Sequence, residues 1–329
     1  MTKKLYSTAK WKRYLKSRQL SELKKLRRRG SRSGRSRRPH GRPENRYQAV
    51  LRVPANFSLI HNPEETVHFL REFSSHAINY NIKLDLSSVS KISTDAIASL
   101  VATIRSLGNR RTVQGNLPQD KGCIDILNQS GFFEHVKLKR PLPAPTQGRI
   151  ARQESKLVEP RLARDLVHIA SQALYGEPRR CQTAYRALIE SMSNTHNHAA
   201  GREHKYAIKQ TWYSTVYADV SRGRACYTFL DTGVGIFKSI RLRRMRKIYR
   251  AIGVSNNADI LEDILEGKVG SSTGFPYRGK GLPSIYNLLK RGSIKELIII
   301  ANSVYANVGA GDFRMLGISF PGTLLYWET

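Results

Sequence analysis

Apolar and polar positions follow two different periods along this chain, and the change of period marks its elements. In residues 48–53 and 82–89 the pattern is that of strands, with apolar residues on alternate positions of the second segment. In residues 63–78 and 93–107 apolar residues recur at helical spacing, and each segment opens with residues typical of a helix start. Strands that alternate with helices predict a small α/β domain over residues 48–140, with a mainly parallel or mixed sheet.

The second half of the chain predicts a different arrangement of helices and strands. Two helices come first, over residues 160–175 and 179–199, and a strand pair follows them. Three further strands are predicted near the C-terminus, over residues 295–303, 313–320 and 323–328. This order predicts a second α/β domain over residues 159–329, a two-layer sandwich with helices on one face of a mixed, largely antiparallel sheet.

Two stretches lie outside these domains. Residues 141–158 contain the proline-rich run PLPAP and a polar stretch, which predicts a linker. Residues 1–47 combine a possible basic helix with a low-complexity run of Gly, Ser, Arg and Pro over residues 30–43, which has no apolar face. The sequence therefore predicts a basic, largely disordered tail.

Charge is high and unevenly distributed. The 329 residues carry a formal net charge of +31, and residues 1–47 hold 18 Lys and Arg against two Glu, a net charge of +16. The other 282 residues carry +15. Such a balance attracts nucleic acid, anionic membrane surfaces or nucleotide phosphates, although a basic tail can also serve solubility alone.

The cysteines and the hydropathy profile indicate a cytoplasmic protein. Cys123, Cys181 and Cys226 form no CxxC pair and no zinc-binding spacing, which predicts buried free thiols in a reducing compartment. No apolar run is long enough to predict a membrane span. The basic N-terminus lacks the apolar segment of a secretory signal, while an organellar transit peptide stays open because the tail is rich in Arg and Ser.

The first candidate functional motif is Glu190-x-x-x-Asn194-x-x-x-His198, on the second predicted helix. A spacing of four places these side chains along one helix face. A carboxylate can activate water, and an amide oxygen can bind a hard cation. Taken alone, the motif is better explained by a solvated polar face.

The second motif is Asp231-x-Gly233-x-Gly235-Ile236, directly after the apolar strand CYTFL. A carboxylate at a strand end can accept a hydrogen bond from an exocyclic amine such as adenine N6. The glycines allow the backbone to turn and to approach a ligand closely. An ordinary tight turn is the alternative interpretation.

The third motif is Gly279-Lys280-Gly281-Leu282, which opens the helix that starts near Pro283. The N-terminus of a helix presents free N–H groups and the positive end of the helix dipole, both of which favour phosphate. A plain loop-to-helix junction is the alternative interpretation.

The combination is more specific than its parts. The motifs occur in the order helix, strand with DxGxG, long segment, then GxGL with helix, separated by 37 residues from Asn194 to Asp231 and by 48 from Asp231 to Gly279. The last predicted strand begins with Gly322 and Thr323. Over nearly all of residues 160–329 this resembles the gyrase, heat-shock-chaperone, histidine-kinase and MutL (GHKL) ATPase superfamily, whose nucleotide domain has the Bergerat fold.

The resemblance implies ATP and Mg²⁺ as ligands. It implies that Asn194 coordinates the magnesium ion and that Glu190 is the general base for water or for a hydroxyl acceptor. It further implies that Asp231 binds adenine N6, that Gly235 packs close to the base, and that Thr323 hydrogen-bonds near the adenine through water.

The same resemblance implies a triphosphate site and a lid. The phosphates would be lined by the third motif and met by nearby basic side chains: Gly279, Lys280, Gly281, Leu282 and Arg278. Residues 237–278 would form the ATP lid. His198 matches a position that the family sometimes fills with a basic or aromatic residue, and a surface histidine is the equal alternative.

One departure from the family restricts the function. The histidine in the first helix of this half, His168 in LVHIASQAL, lacks the acid that directly follows a phosphoacceptor histidine. The chain therefore does not resemble a two-component sensor kinase. Glu190 suits either a true ATPase or the anti-sigma serine-kinase branch.

Residues 48–140 resemble a STAS domain, the fold of anti-sigma-factor antagonists. The resemblance is carried by KLDLSSVSKI, by the turn Ser93-Thr94-Asp95-Ala96, by the helix IASLVATI and by GFFEHV. Asp95 falls where that family has its phosphorylatable Ser, so it either mimics the phosphorylated charge or caps the helix. Ser93 and Thr94 are the remaining candidate acceptors.

Three functions follow as alternatives. The leading hypothesis is an ATP-binding regulatory protein with Mg²⁺-dependent hydrolysis, whose STAS-like half docks or senses a protein partner. The first rival is a protein serine/threonine kinase of the anti-sigma type. The second is a nucleic-acid-binding adaptor that uses its basic tail and has a degenerate ATP pocket.

Overall fold

The computed structural model describes residues 48–108, 112–138, 150–198, 211–239, 256–268 and 281–329. They belong to one compact unit, Tyr47–Thr329. The unit combines helices with several sheets, which confirms the α/β class. The predicted tail, residues 1–47, lies outside the described residues.

The N-terminal part of this unit contains a parallel three-stranded sheet. Its strands are β1 (Gln48–Arg52), β3 (Asn81–Asp85) and β5 (Val113–Gly115), in the order β1-β3-β5. A short parallel pair joins β2 (Asn56–Phe57) to β4 (Lys91–Ile92). In β3 the alternate residues Ile82 and Leu84 are buried, as the period of two requires.

Helices cover this sheet. They are α1 (Pro63–His76), α2 (Thr94–Ser106) and α3 (Lys121–Gln129), followed by a 3₁₀ turn over Phe132–Glu134. Helix α1 starts with a proline and two acidic residues. Proline suits the first turn because the N–H groups there have no intrahelical acceptor, so the missing N–H costs nothing. The acidic residues suit it because the helix N-terminus carries a partial positive charge.

Asp95 does not cap α2. It is the second residue of the helix and is only 1% exposed, and its Oδ2 accepts a hydrogen bond from the backbone N–H of Leu59 at 2.6 Å. Burial raises the pKa of its carboxyl group. Asp95 therefore links α2 to the segment before α1, and the capping interpretation was wrong because the partner lies 36 residues away in sequence.

The C-terminal part is built on a five-stranded sheet in the order β6-β7-β8-β10-β9. Every neighbouring pair of these strands is antiparallel, so the mixed pairing expected from the sequence is not present among them. The strands are β6 (Ile150–Ser155), β7 (Trp212–Asp219), β8 (Arg224–Asp231), β9 (Leu297–Asn307) and β10 (Asp312–Glu328).

Two strands differ from the sequence prediction. Strand β6 lies inside the predicted linker 141–158, where it pairs with β7 at the edge of the sheet. Strand β10 joins the last two predicted strands into one, with register shifts between Met315 and Thr323. Proline and glycine at 321 and 322 lie inside this strand, where the pairing with β9 is irregular.

Five helices follow in the described part of this half. They are α4 (Pro160–Tyr175), α5 (Gln182–His198), α6 (Ile236–Ser239), α7 (Asn257–Leu265) and α8 (Gly281–Lys290). Residues of all five pack with one face of the sheet in a common hydrophobic core.

Helix α7 falls in the middle of the predicted lid, residues 237–278. Its apolar residues Ile260, Leu261, Ile264 and Leu265 are buried in that core, and Asn256 caps its first turn. This part of the predicted lid is therefore fixed, because the period of its apolar residues gives it a buried face. Residues 240–255 and 269–280 lie outside the described residues.

The opposite face of the five-stranded sheet is also covered. Along β8, Tyr227 and Phe229 belong to the core under α4, α5 and α8, whereas Cys226 and Leu230 pack in the core of the N-terminal part. Helix α2 lies on β7 and β8, and α1 lies on β10. The two-layer sandwich thus has a further layer, since the strands are apolar on both sets of alternating residues.

The three cysteines are free. Cys123 and Cys226 are buried, as predicted, and Cys181 is half-buried. Burial raises the pKa of each buried thiol to about 11, so neither is a reactive thiolate at neutral pH.

No described helix is both long and apolar enough to cross a membrane.

Candidate nucleotide site

Asp231 lies at the end of β8, near the middle of the five-stranded sheet. It is paired in register with Trp212 on β7 and with Thr323 on β10. Its Oδ1 accepts a hydrogen bond from the N–H of Gly233 at 2.7 Å, and the side chain of Thr323 donates a second one. Strand register therefore places residues 231 and 323 side by side.

Burial raises the pKa of Asp231 to about 6, and the hydrogen bonds from Gly233 and Thr323 partly oppose that rise. The carboxyl group is thus mostly ionised at pH 7, and keeping it ionised in the folded protein costs free energy. A carboxylate offers about four lone-pair directions, so two donors leave it able to accept another hydrogen bond. Asp231 is suited to bind a ligand that brings its own donor.

Gly322 allows β10 to approach this carboxylate. Its φ is +97°, and a Cβ at this position would overlap the backbone carbonyl oxygen of Asp231. Only glycine fits both conditions, because a side chain is excluded by conformation and by space. Gly322 thereby fixes Thr323 beside Asp231.

The loop after Asp231 is held by a residue that sequence reasoning missed. Asn302 on β9 accepts a hydrogen bond from the N–H of Phe237 at 3.3 Å and donates one to the carbonyl of Val234 at 3.0 Å. Gly235, with φ of +82°, passes directly against the Asn302 carboxamide. No motif signals this contact, since the partners are separated by more than 60 residues.

Asn194 and Gly281 form a second group. A Cβ at Gly281, the first residue of α8, would overlap the carboxamide of Asn194 on α5. The Asn194 Nδ2 is buried and has no hydrogen-bond partner within the described residues. The two motif residues, 87 positions apart, are therefore in direct contact.

The helix face that carries Glu190 lies against α8. Arg186, one turn before Glu190, donates a hydrogen bond to Ser284 Oγ at 3.2 Å, and Asn194, one turn after it, contacts Gly281. Glu190 is half-buried between them. This polar face therefore packs beside the start of α8 and is only partly exposed at Glu190 and Asn194.

The two groups belong to the same layer. Helix α5 packs on β8, whose last residue is Asp231, and α8 packs on α5. Leu282 packs against the core shared by these elements. Gly279, Lys280 and Arg278 lie outside the described residues, as does the side chain of His198.

One side-chain oxygen of the second group, Asn194 Oδ1, is of the kind that binds hard cations. Within the described segments, no three His, Cys, Asp or Glu side chains are grouped to hold a metal ion. Mg²⁺ typically uses one or two protein oxygens and completes its shell with phosphate and water. Asn194 Oδ1 is an amide oxygen of this kind, whereas the buried, unpaired Nδ2 is a hydrogen-bond donor and gives no evidence for a cation.

Comparison of the sequence with models of known protein families and with curated proteins gives no match.

Proposed function

We propose that the C-terminal half binds ATP and Mg²⁺ in a Bergerat-type pocket and hydrolyses the nucleotide. The observation that carries this proposal is the contact between Asn194 and Gly281 on helices that pack beside the strand ending in Asp231. Residues of the first and third motifs are in contact, and the helix that carries Asn194 packs on the strand that ends in Asp231, which supports a shared site.

Asp231 would recognise the base. Its carboxylate would accept the hydrogen bond from adenine N6, and Thr323 beside it would bind the base through water. Support comes from the Asp231 carboxylate, which accepts hydrogen bonds from Gly233 and Thr323 and keeps capacity for a further donor. Guanine carries a carbonyl oxygen at the corresponding position and would be rejected.

Asn194 would hold the magnesium ion through Oδ1, and the first turn of α8 would face the phosphates. The free N–H groups of that turn and the helix dipole favour negative charge. When bound, the magnesium ion neutralises charge that develops on the phosphates. Gly281 keeps the Asn194 carboxamide and the start of α8 close enough for both to contact one triphosphate.

A direct test is titration of the full-length protein with a fluorescent ATP analogue, with and without Mg²⁺. Binding that tightens when Mg²⁺ is added, and that unlabelled ATP displaces more readily than GTP, is the expected result. Absence of binding under both conditions would overturn the proposal.

Glu190 would act as the general base that deprotonates the attacking water. We expect Glu190→Ala and the isosteric Glu190→Gln to abolish turnover, a loss of at least about 100-fold. Affinity for the ATP analogue should change little, because Glu190 is assigned to the reaction rather than to binding. Phosphate release and analogue binding measured on the same preparations separate the two effects, and unchanged turnover would refute the assignment.

The destination of the γ-phosphate distinguishes hydrolysis from protein phosphorylation. With γ-labelled ATP, label released as free phosphate supports the ATPase. Label transferred to an added STAS protein supports the serine/threonine kinase. Both reactions use the same base and site, so the Glu190 variants serve as the negative control for each.

The STAS-like N-terminal half would act as the docking or sensing module. Support comes from α1 and α2, which lie on β7, β8 and β10, because two of these strands carry Asp231 and Thr323. A partner that shifts α2 would therefore act on the strands of the nucleotide site without touching ATP.

A further inference from the structure

We propose that Asn302 is a positioning residue that holds residues 233–237 in the form that receives the nucleotide base. The inference rests on the proposed ATP-binding function. It adds a residue that belongs to none of the three sequence motifs and that lies on a different strand from all of them.

The backbone of Asn302 is itself unusual. Within the described residues it is the only non-glycine residue with a positive φ, at +51°, and it is only 6% exposed. It sits where the pairing of β9 with β10 changes register, opposite Phe320. The left-handed conformation turns its side chain away from the strand pattern, and asparagine tolerates this conformation better than most residues.

The carboxamide makes two hydrogen bonds of opposite sense to one loop. Its Nδ2 donates to the Val234 carbonyl, and its Oδ1 accepts from the Phe237 N–H. An aspartate at this position would accept but not donate, so it would place a carboxylate against a carbonyl oxygen. The pair of contacts therefore requires an amide.

Gly235 completes the clamp. A Cβ at Gly235 would lie 2.5 Å from Asn302 Oδ1, so the loop backbone rests on the carboxamide plane. The Asn302 side chain thus contacts three groups of the loop: the Val234 carbonyl, the Gly235 backbone and the Phe237 N–H. The same loop donates the Gly233 N–H to Asp231, which connects the clamp to the carboxylate proposed to bind the base.

The experiment uses Asn302→Gly in the full-length chain. Glycine keeps the left-handed backbone accessible while it removes the carboxamide. Asn302→Asp keeps the shape but replaces the donor to Val234 by an acceptor oxygen. Asn307→Ala is the matched control, because Asn307 lies on the same strand and bonds only to the nearby Ala310 N–H among the hydrogen bonds described for its side chain.

The first measurement is amide hydrogen exchange without nucleotide. We expect the Phe237 amide to lose protection by at least about tenfold in Asn302→Gly, while amides in the middle of β8 keep theirs. Asn302→Asp keeps an acceptor for this amide, so its loss of protection should be smaller. Retained protection at Phe237 in Asn302→Gly would overturn the clamp whether or not the protein binds ATP.

The second measurement is the ratio of affinities for ATP and for inosine triphosphate, which lacks the 6-amino group. Wild type should prefer ATP, and both Asn302 variants should reduce that preference by about tenfold, with Asn307→Ala unchanged. A merely structural role would weaken both nucleotides equally and leave the ratio intact, which would refute the positioning role. If wild type binds neither nucleotide, the proposed function fails and the exchange measurement alone decides the clamp.

Discussion

Replacing Asp231 by Asn should stabilise the folded protein at pH 7.5 and at the same time weaken ATP binding. The folded-state pKa of about 6 exceeds the ordinary value of 3.8 by about two units. Each unit corresponds to about 1.4 kcal/mol, so keeping the carboxylate ionised costs about 1–3 kcal/mol above pH 6. Asparagine removes that cost, because it fits the same space without a charge.

The stability difference between Asp231→Asn and wild type should depend on pH in a defined direction. Between about pH 4 and pH 6 the folded state holds a proton on Asp231 that the unfolded state has released, so this group's contribution to the free energy of unfolding falls as pH rises. The difference between Asp231→Asn and wild type should therefore be near zero at pH 4 and reach its full value above pH 6. Urea unfolding of both proteins across this range measures it.

ATP affinity should move in the opposite direction. A hydrogen bond to a charged group is worth about 1.5–3 kcal/mol, so losing the carboxylate should cost roughly tenfold to 100-fold in affinity at pH 7.5. Wild-type affinity should likewise decline as the pH falls below 6. A variant that is both less stable and equally tight for ATP would contradict the assignment of Asp231.

Asp219→Asn is the matched control at the end of the neighbouring strand β7. Hydrogen bonds from Ser221 and Arg222 lower the pKa of Asp219 to about 2, so its carboxylate stabilises the fold above pH 4. Its replacement should therefore destabilise the protein at pH 7.5 and leave ATP affinity unchanged. Changes of opposite sign in the free energy of unfolding for Asp231→Asn and Asp219→Asn would show that the gain in stability is specific to the environment of Asp231.

The second large effect is expected from Gly281→Ala. Alanine is the better helix former by about 1 kcal/mol, so in an open position this change would stabilise α8. Here the added methyl group meets the Asn194 carboxamide. We expect a net loss of about 1–3 kcal/mol in stability, because overpacking forces the two helices apart or turns the amide away.

The same change should remove most of the Mg²⁺ dependence of ATP binding. Titration of the fluorescent analogue with and without Mg²⁺ should show a loss of about 100-fold with Mg²⁺ present and a smaller loss without it. Gly317→Ala is the control, since a Cβ there meets no other atom within 4 Å. Normal Mg²⁺ dependence of ATP binding in Gly281→Ala would disprove the assignment of Asn194, beside Gly281, as the magnesium ligand.

Much of the fold could be predicted from local patterns. The alternating residues of β3 and the helical spacing in α1 and α5 are local signals, and these elements appear close to their predicted bounds. Strand β6 could not be found, because a proline-rich stretch precedes it and an edge strand needs little apolar character. The second buried face of the sheet also depends on partners distant in sequence.

The candidate site was predictable only where motif residues end an element. Asp231 is the last residue of a strand and Gly281 is the first residue of a helix. The position of each residue therefore follows from the element that it ends or begins, and the neighbours of each element follow from the topology. Asn302 carries no such signal. Its role arises from a single left-handed residue and from a register shift that only the three-dimensional pairing of β9 with β10 creates.

The sheet covered on both faces has a consequence for control of the molecule. The N-terminal and C-terminal parts share one apolar core through Leu230 and its neighbours. Parting them would expose that core to water. We therefore expect a movement of α1 or α2 to be transmitted through the sheet and not by separation of the two parts.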